Sequence, residues 1–346
     1  MIMQMQGGIS VGIVGASGFT GAELLRLADR HPAFDVRLAT GDSMAGRRAA
    51  DVYPSLEGAY PDLVYGTAEP ASLAGLDLVF LGLPHEASME LAPELVGRVG
   101  CVVDLSAAFR LKDAAAYPRY YGFEHTQPEL LAEAVFGLPE LHREELRGAR
   151  LVATPGCHVT TATLALRPLR AAGLLGDQRV IVDTMTGITG AGRAPTDLNI
   201  FSSIDSNAVA YGLHHHRHTP EMEQEIGATV LFTPHLVPMS RGLLATCYAT
   251  PAAGVADSES LLEAQRSFYA DAPFVSVLDR PPATKSVLGS NAVHVSASYD
   301  ERTGTVIAMA ALDNLTKGAA GGAVHAANVA LGLDETAGLD RVGLAP

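Results

Sequence analysis

The stretch Val11-Gly12-Ile13-Val14-Gly15-Ala16-Ser17-Gly18-Phe19-Thr20-Gly21 decides the fold. Val11 to Val14 reads as a short apolar strand. Glycine-rich residues follow, and Ala22-Glu23-Leu24-Leu25-Arg26-Leu27-Ala28 has the spacing of an amphipathic helix. In a strand, glycine turn and helix, backbone amides approach a pyrophosphate and the helix N-terminus favours the anion. The spacing from Gly15 is G-x-x-G-x-x-G, not the commoner G-x-G-x-x-G. Glycine also serves tight packing, so the flanking strand and helix carry the nucleotide reading. Gly15, Ala16, Ser17, Gly18, Phe19, Thr20 and Gly21 are the candidate cofactor contacts.

Further strands are predicted over Asp35 to Thr40, Asp77 to Leu83, Cys101 to Leu105 and Leu151 to Ala153, with a weaker one at Leu63 to Val64. A helix over Glu86 to Ala92 is expected to stop at Pro93. Such alternation argues for α/β architecture, a parallel sheet covered on both faces. After Cys157 the pattern changes. Val180 to Thr186, Thr229 to Thr233, Leu243 to Thr250, Val293 to Ser298 and Val306 to Leu312 read as strands. Helices near Glu221 to Ile226 and Leu261 to Tyr269 separate them. That is α+β, with a mixed or antiparallel sheet. The Ala-rich segment from Lys317 to Leu331 reads as a closing helix.

A chain of 346 residues suggests two domains at about 150 residues each. Its net charge of −14 argues against nucleic acid or an anionic membrane as partner. Three cysteines cannot form a disulfide framework, which points to a reducing compartment. Met1 to Ser10 lacks Lys and Arg and makes a poor signal peptide, and no apolar run is long enough to span a bilayer. A cytoplasmic protein is expected.

Thr40 ends the second strand and Asp42 follows. An acidic residue there binds the ribose hydroxyls of NAD and repels the 2′-phosphate of NADP. Ser43, Arg47 and Arg48 lie close by and suit that phosphate. On these residues alone both nucleotides stay open.

Cys157 lies in Ala153-Thr154-Pro155-Gly156-Cys157-His158-Val159-Thr160-Thr161, between a strand and a helix predicted from about Thr160. A thiol near a helix N-terminus feels the positive end of the dipole, which favours the nucleophilic thiolate. Cys101 and Cys247 fall inside apolar strands and read as inert core residues. A cysteine nucleophile needs an acid/base partner. Leu213-His214-His215-His216-Arg217-His218-Thr219-Pro220-Glu221 offers several imidazoles. Thr219 is the predicted N-cap, with Pro220 at the first helical position. His216 and His218, alternating on the approach, face one side, and Glu221 is placed to orient one of them. His214 and His215 read as surface residues. Four histidines in five positions also suit a metal. No well-spaced carboxylate or thiolate set accompanies them, so no metal is expected.

Two places offer anion donors. Asp104-Leu105-Ser106-Ala107-Ala108-Phe109-Arg110 follows a strand, and ligands bind beyond the carboxyl ends of such strands. Ser106 and Arg110 therefore suit a phosphate. Met239-Ser240-Arg241-Gly242 supplies a second arginine for a carboxylate or phosphate. A structural salt bridge is the plainer role for each arginine.

These motifs together, GASGFTGAELLRL, DLSAAFRL, ATPGCHVTTATL, TGITGAGR, HRHTPEMEQ and DNLTKGAAGGAVHAAN, run in order along nearly the whole chain. The chain resembles the N-acetyl-gamma-glutamyl-phosphate reductases of the semialdehyde dehydrogenase superfamily. The resemblance implies a Rossmann-type dinucleotide-binding domain over 1–155 and 314–346, whose last helix returns to it. It also implies a mixed-sheet substrate and dimerisation domain over 156–313. It implies NADPH-dependent reduction of an acyl phosphate in arginine biosynthesis, with release of phosphate, and a homodimer or homotetramer. It implies Cys157 as nucleophile, and His216 and His218 as the paired histidines that include the acid/base. Arg110 and Arg241 match arginines near substrate anions, and Gly187, Asn314 and Gly318 fall in segments near the cofactor. Read from the residues themselves, Ser106 and Glu221 are further candidate substrate contacts, and Thr40, Ser43 and Arg47 further candidate cofactor contacts.

The chain departs from the family pattern in three places. Thr40-Gly41-Asp42 replaces the usual Thr-Ser-Arg, so NADP is expected with NAD possible. His158 replaces an aromatic and Gly322 a Gln, both expected to leave the chemistry intact. The alternative functions are a reductase of a carrier-linked aminoadipyl phosphate in lysine synthesis and a non-catalytic NAD(P)-binding regulator.

Overall fold

The computed structural model of the chain describes residues 8–254 and 257–345. Met1 to Gly7, the bulk of the segment weighed as a signal peptide, lies outside them. Two compact units form. The first comprises Met1–Ala114, Phe123–Thr154 and Ala320–Leu339; the second comprises Ala115–Gly122, Pro155–Ala319 and Asp340–Pro346. Ala115–Gly122, Pro155, residues 314–319 and Asp340–Pro346 thus group with the second unit, on the far side of the division drawn at 155/156 and 313/314.

In the first unit, β1 (Ile9–Val14), β2 (Phe34–Ala39), β3 (Leu78–Leu81), β4 (Cys101–Asp104), β5 (Val135–Phe136) and β6 (Leu151–Ala153) form one sheet in the order β2-β1-β3-β4-β6-β5. Every pairing in it is parallel. β3 and β4 are buried at all positions, as continuous apolar strands with both faces covered must be. The helix Gly321–Ala330 packs on Phe19–Arg30 and Pro139–Leu146. Its Asn328 bonds buried His31 at 3.0 Å, and Arg143 bridges Glu335 just beyond it at 2.6 Å.

Leu63 to Val64 forms no strand. Val64 makes one isolated bridge to Arg48 and is half exposed, so two apolar residues there lack a sheet to join. The helix predicted to stop at Pro93 runs over His85–Leu95. Proline removes one N–H and clashes one turn back, but so near the end it costs little, and Val96 still donates to the Ala92 carbonyl.

The second unit holds β7 (Val180–Thr186), β8 (Val209–Ala210), β9 (Val230–Leu236), β10 (Leu243–Ala249), β11 (Val275–Val277), β12 (Val293–Asp300) and β13 (Thr305–Leu312), ordered β11-β12-β13-β10-β7-β9-β8. Pairings are mixed: β7 with β9 and β11 with β12 are parallel, the rest antiparallel. Alternation decides what each face does. Val180, Val182, Thr184 and Thr186 of β7 are buried, with Leu243, Ala245 and Cys247 of β10. Helices Cys157–Ala171 and Ser258–Phe268 pack on the sheet. The opposite face carries Met185 and Leu231, about half exposed.

Candidate active site

Cys157 is the first residue of the 15-residue helix Cys157–Ala171, three residues earlier than the pattern predicts. No side chain caps that terminus and its first turn has no acidic residue. The thiol therefore sits in the positive end of the dipole. Gly156, the N-cap, donates its N–H to Glu221 Oε2 at 3.2 Å. Glu221 is wholly buried, and its Oε1 accepts from the Tyr121 hydroxyl at 2.9 Å. A carboxylate predicted to orient an imidazole thus holds the peptide before the thiol.

The helix expected to start after a Thr219 cap starts at His218. The His216 imidazole does the capping: its Nδ1 accepts from the His218 backbone N–H at 3.1 Å. The two rings lie 4.8 Å apart. They meet through this turn, in which His214 takes φ +70°, and not along an extended strand. His214 and His215 are exposed.

His218 lies against the nucleophile's turn. A Cβ on Gly156 would stand 2.5 Å from His218 Cε1 and 2.6 Å from Cδ2, and closer still to Nε2. Only glycine lets the ring approach so near to Cys157. Gly318, in the π-helical turn Thr316–Ala320, makes a similar approach from another side: a Cβ there would be 2.7 Å from Cys157 Cβ.

The sequence reading missed a member of this cluster. His158, the second helical residue, is buried between helix and sheet. Its Nε2 is 3.0 Å from the Tyr211 hydroxyl and its Nδ1 is 2.9 Å from Thr184 Oγ1. Its ring centroid is 5.5 Å from that of His216 and 5.4 Å from that of His218. Burial, then the neighbouring His216, pushes the His158 pKa down to about 3. Burial, then Arg217 and His215, pushes His216 down to about 4. Both rings are neutral near pH 7. Burial, and then the charge of a Cys157 thiolate, raises the Tyr211 pKa. Cys101 and Cys247 are inert by contrast: both are buried, and burial pushes the Cys101 thiol up to about 12.

Arg241, Gly187 and Asn314 come together in the same unit. Arg241 Nε pairs with buried Asp313 at 3.0 Å, and Nη2 donates to Thr316 Oγ1 at 2.8 Å. Gly242 N–H donates to Asn314 Oδ1 at 2.8 Å, and a Cβ on Gly187 would press on the Met239 carbonyl at 2.8 Å. Arg241 therefore carries the structural bridge weighed against its substrate role.

In the first unit, Ser106 and Arg110 are committed to their own turn. Ser106 Oγ donates to Asp104 Oδ2 at 2.7 Å and accepts from Ala108 N–H, while Arg110 Nη2 donates to the Leu105 carbonyl. The glycine loop fits a nucleotide. Gly15 has φ +81°, and a Cβ there would strike the Gly82 carbonyl. Gly18 caps the helix Phe19–Arg30, which has no side-chain cap and no acidic residue in its first turn. Thr40 is buried and its Oγ1 accepts from Gly15 N–H at 3.3 Å. Asp42 is exposed, with φ +46°, a region Asp visits more readily than most residues. Arg48 is tied to Glu57 and the Pro61 carbonyl. Ser43 and Arg47 are exposed.

A glycine loop between a strand and a helix, and a thiol at a helix N-terminus beside imidazoles, point to a dehydrogenase. Two family profiles match: "Semialdehyde dehydrogenase, NAD binding domain" over residues 10–149, and "Semialdehyde dehydrogenase, dimerisation domain" over 157–314. An N-acetyl-gamma-glutamyl-phosphate reductase of Magnetococcus marinus is 42% identical, covering 98% of this chain and 99% of that one. One of Symbiobacterium thermophilum is 46% identical, covering 97% and 98%. Among solved structures, aspartate semialdehyde dehydrogenase II of Vibrio cholerae, complexed with ASA, has TM-score 0.69 at 18% identity, covering 93% of this chain and 98% of that one. The NADP complex of the Candida albicans aspartate semialdehyde dehydrogenase has TM-score 0.68 at 18% identity, with the same coverage. The chain belongs to the semialdehyde dehydrogenase family, in its N-acetyl-gamma-glutamyl-phosphate reductase branch. It is an oxidoreductase with an NAD(P)-binding domain. Among the described residues, no helix is long and apolar enough to cross a membrane.

Proposed function

We propose that the chain reduces N-acetyl-gamma-glutamyl phosphate to N-acetylglutamate 5-semialdehyde and phosphate, in arginine biosynthesis. The observation that carries the reading is Cys157 at a helix N-terminus with the His218 ring against the preceding glycine. The Cys157 thiolate attacks the acyl carbon, the carbon–oxygen bond to phosphate breaks, and a thioester remains. When bound, a nicotinamide nucleotide supplies the hydride that reduces it. The tetrahedral oxyanion takes a proton from an imidazolium, the ring that received the Cys157 thiol proton, and its collapse returns that proton to the imidazole as the aldehyde leaves and the thiolate re-forms. The amides of the first helical turn stabilise the oxyanion.

His218 is the better proton carrier of the pair, because its ring abuts the Cys157 turn while His216 is engaged in capping. Glu221 is a positioning residue for the Gly156 peptide. Arg241, preset by Asp313, is assigned to a substrate anion. Ser106 and Arg110 shape the loop after β4 and reach substrate only if that turn opens. NADP is the assigned nucleotide, with Ser43 and Arg47 exposed for its 2′-phosphate; NAD is the second reading because Asp42 follows β2. A second copy of the chain is assigned to the half-exposed apolar face of the mixed sheet, around Met185 and Leu231.

The test is the reverse reaction: phosphate-dependent reduction of NADP or NAD with N-acetylglutamate semialdehyde, run beside the aminoadipate-derived semialdehyde. Turnover with the first, abolished in Cys157→Ala, is the expected result. Robust turnover by Cys157→Ala would sink the mechanism.

A further inference from the structure

Three imidazoles converge beside Cys157 from separate backbone positions: His158 in the helix Cys157–Ala171, His216 in a turn, and His218 at the start of the helix His218–Ile226. We infer that His158, His216 and His218 form a site for one borderline-soft divalent cation, of the Zn2+ or Co2+ kind, whose occupancy turns the enzyme off. The site stands on its own geometry; only its effect on turnover rests on the reductase reading.

One ligand nitrogen from each residue lies within 4.8 Å of the other two. Tetrahedral Zn–N bonds of about 2.0–2.1 Å place nitrogens about 3.4 Å apart, so each moves inward by about 0.8 Å at most. The rings are inclined to one another by 55° to 83°, so they approach from different directions instead of stacking. His216 Nδ1 accepts from the His218 N–H, so the neutral ring carries its proton on Nε2; ligation through Nε2 moves that proton to Nδ1 and gives up the bond to the His218 N–H. A ligating imidazole keeps a hydrogen bond at its other nitrogen, which orients the ring. Thr184 Oγ1, 2.9 Å from His158 Nδ1, provides that bond once His158 Nε2 turns from Tyr211 to the metal. The set is all nitrogen, which suits zinc and cobalt and not magnesium. His158 completes it, and without His158 two histidines make no closed site. Coordination occupies the imidazole lone pairs, so neither His216 nor His218 can carry a proton while the cation is bound.

The test uses the full chain, stripped with a chelator and titrated with Co2+ alone. One equivalent per chain should bind with the intense visible absorption of four-coordinate Co2+, and Zn2+ should displace it. Zinc X-ray absorption of the wild-type protein should count three imidazoles. Turnover should fall in proportion to occupancy and return with chelator. Even outer-shell changes cost about 10–100-fold in metal affinity, so His158→Phe should weaken Co2+ binding by at least about 100-fold. His214→Gln with His215→Gln should bind as wild type. A pale six-coordinate spectrum, fewer than three imidazoles, or unchanged binding by His158→Phe overturns the site. Full turnover by the fully loaded protein overturns the switch. If His158→Phe fails to fold, the wild-type imidazole count decides. A chain that turns over no semialdehyde refutes the reductase reading and leaves the cobalt spectrum to judge the site.

Discussion

Gly156→Ala separates the placement of His218 from the chemistry of Cys157. Gly156 has φ −68° and ψ 148°, which alanine adopts without strain. Restricting the unfolded chain would favour alanine by about 0.4–1 kcal/mol. The new methyl, however, would lie 2.5 and 2.6 Å from His218 Cε1 and Cδ2. That is about 1 Å inside the usual carbon–carbon separation of about 3.5–4.0 Å. The ring cannot yield easily, because Glu221 and Met222 in its helix are wholly buried and Glu221 holds the Gly156 peptide. Overpacking of this kind costs about 1–3 kcal/mol. The net loss is then about 1–2 kcal/mol, a fall in Tm of about 2–8 °C for a unit of this size. A misplacement on the order of 1 Å costs about 100-fold in rate, so kcat/KM should fall about that far. The assays are reverse-direction kinetics and thermal unfolding of Gly156→Ala, His218→Ala and the double variant. With the ring gone the methyl meets no clash, so Gly156→Ala should be neutral or slightly stabilising in the His218→Ala background. Equal losses in both backgrounds, or wild-type kcat/KM and Tm in Gly156→Ala, would refute the argument.

Acid should destabilise the fold through two histidines. The folded pKa values of His158 and His216, about 3 and 4, lie below the ordinary 6.5. Their contribution is complete above pH 6.5, where unfolded imidazoles are also neutral. It is lost as pH falls from there towards 4, because only the unfolded chain takes up the protons, at up to about 1.4 kcal/mol per pH unit for each ring. Urea unfolding at pH 7, 6 and 5 should show this slope, and His158→Phe should roughly halve it; an unaltered slope counts against buried neutral rings. Glu221→Ala would leave the buried Gly156 N–H without its acceptor, while the Tyr121 hydroxyl keeps the Arg217 carbonyl, a loss of about 1–3 kcal/mol. It should also lower kcat more than it raises KM, and a wild-type melting temperature would contradict the anchoring role. Asp42→Ser removes the carboxylate that opposes a 2′-phosphate. The NADP-to-NAD ratio of kcat/KM should rise at least about fivefold, as about 1–4 kcal/mol of repulsion at close range implies. An unmoved ratio would mean that Asp42 does not face the ribose.

The glycine loop was legible because its signal is local. Strand, turn and helix are contiguous from Ile9 to Arg30, and the positive φ of Gly15 follows from one tight turn. The longer strands were legible for a similar reason: β7 and β13 stand within one residue of their apolar runs. β5, β8 and β11 are two or three residues long, and a period of two cannot be read from so few positions. Their strand character comes from partners far along the chain, as Val275 pairs with Val293. The N-terminus of the helix His218–Ile226 escaped for another reason. Its N–H is capped by a ring two residues earlier, and histidine is not among the residues that advertise a cap.

His158 shows where local reading stops. As one polar residue after the thiol it read as a substitution without consequence. Its burial depends on how the helix Cys157–Ala171 lies on the mixed sheet, which brings Thr184 of β7 under the ring and Tyr211 to its other edge. Burying an imidazole costs free energy unless both nitrogens find partners, and here both do. The departure from an aromatic residue was therefore the available clue. A ring that burial holds neutral, placed between two other imidazoles, changes what the cluster can bind. The same side chain that sequence comparison would set aside decides whether His216 and His218 form a proton-transfer pair alone or two corners of a three-nitrogen cage.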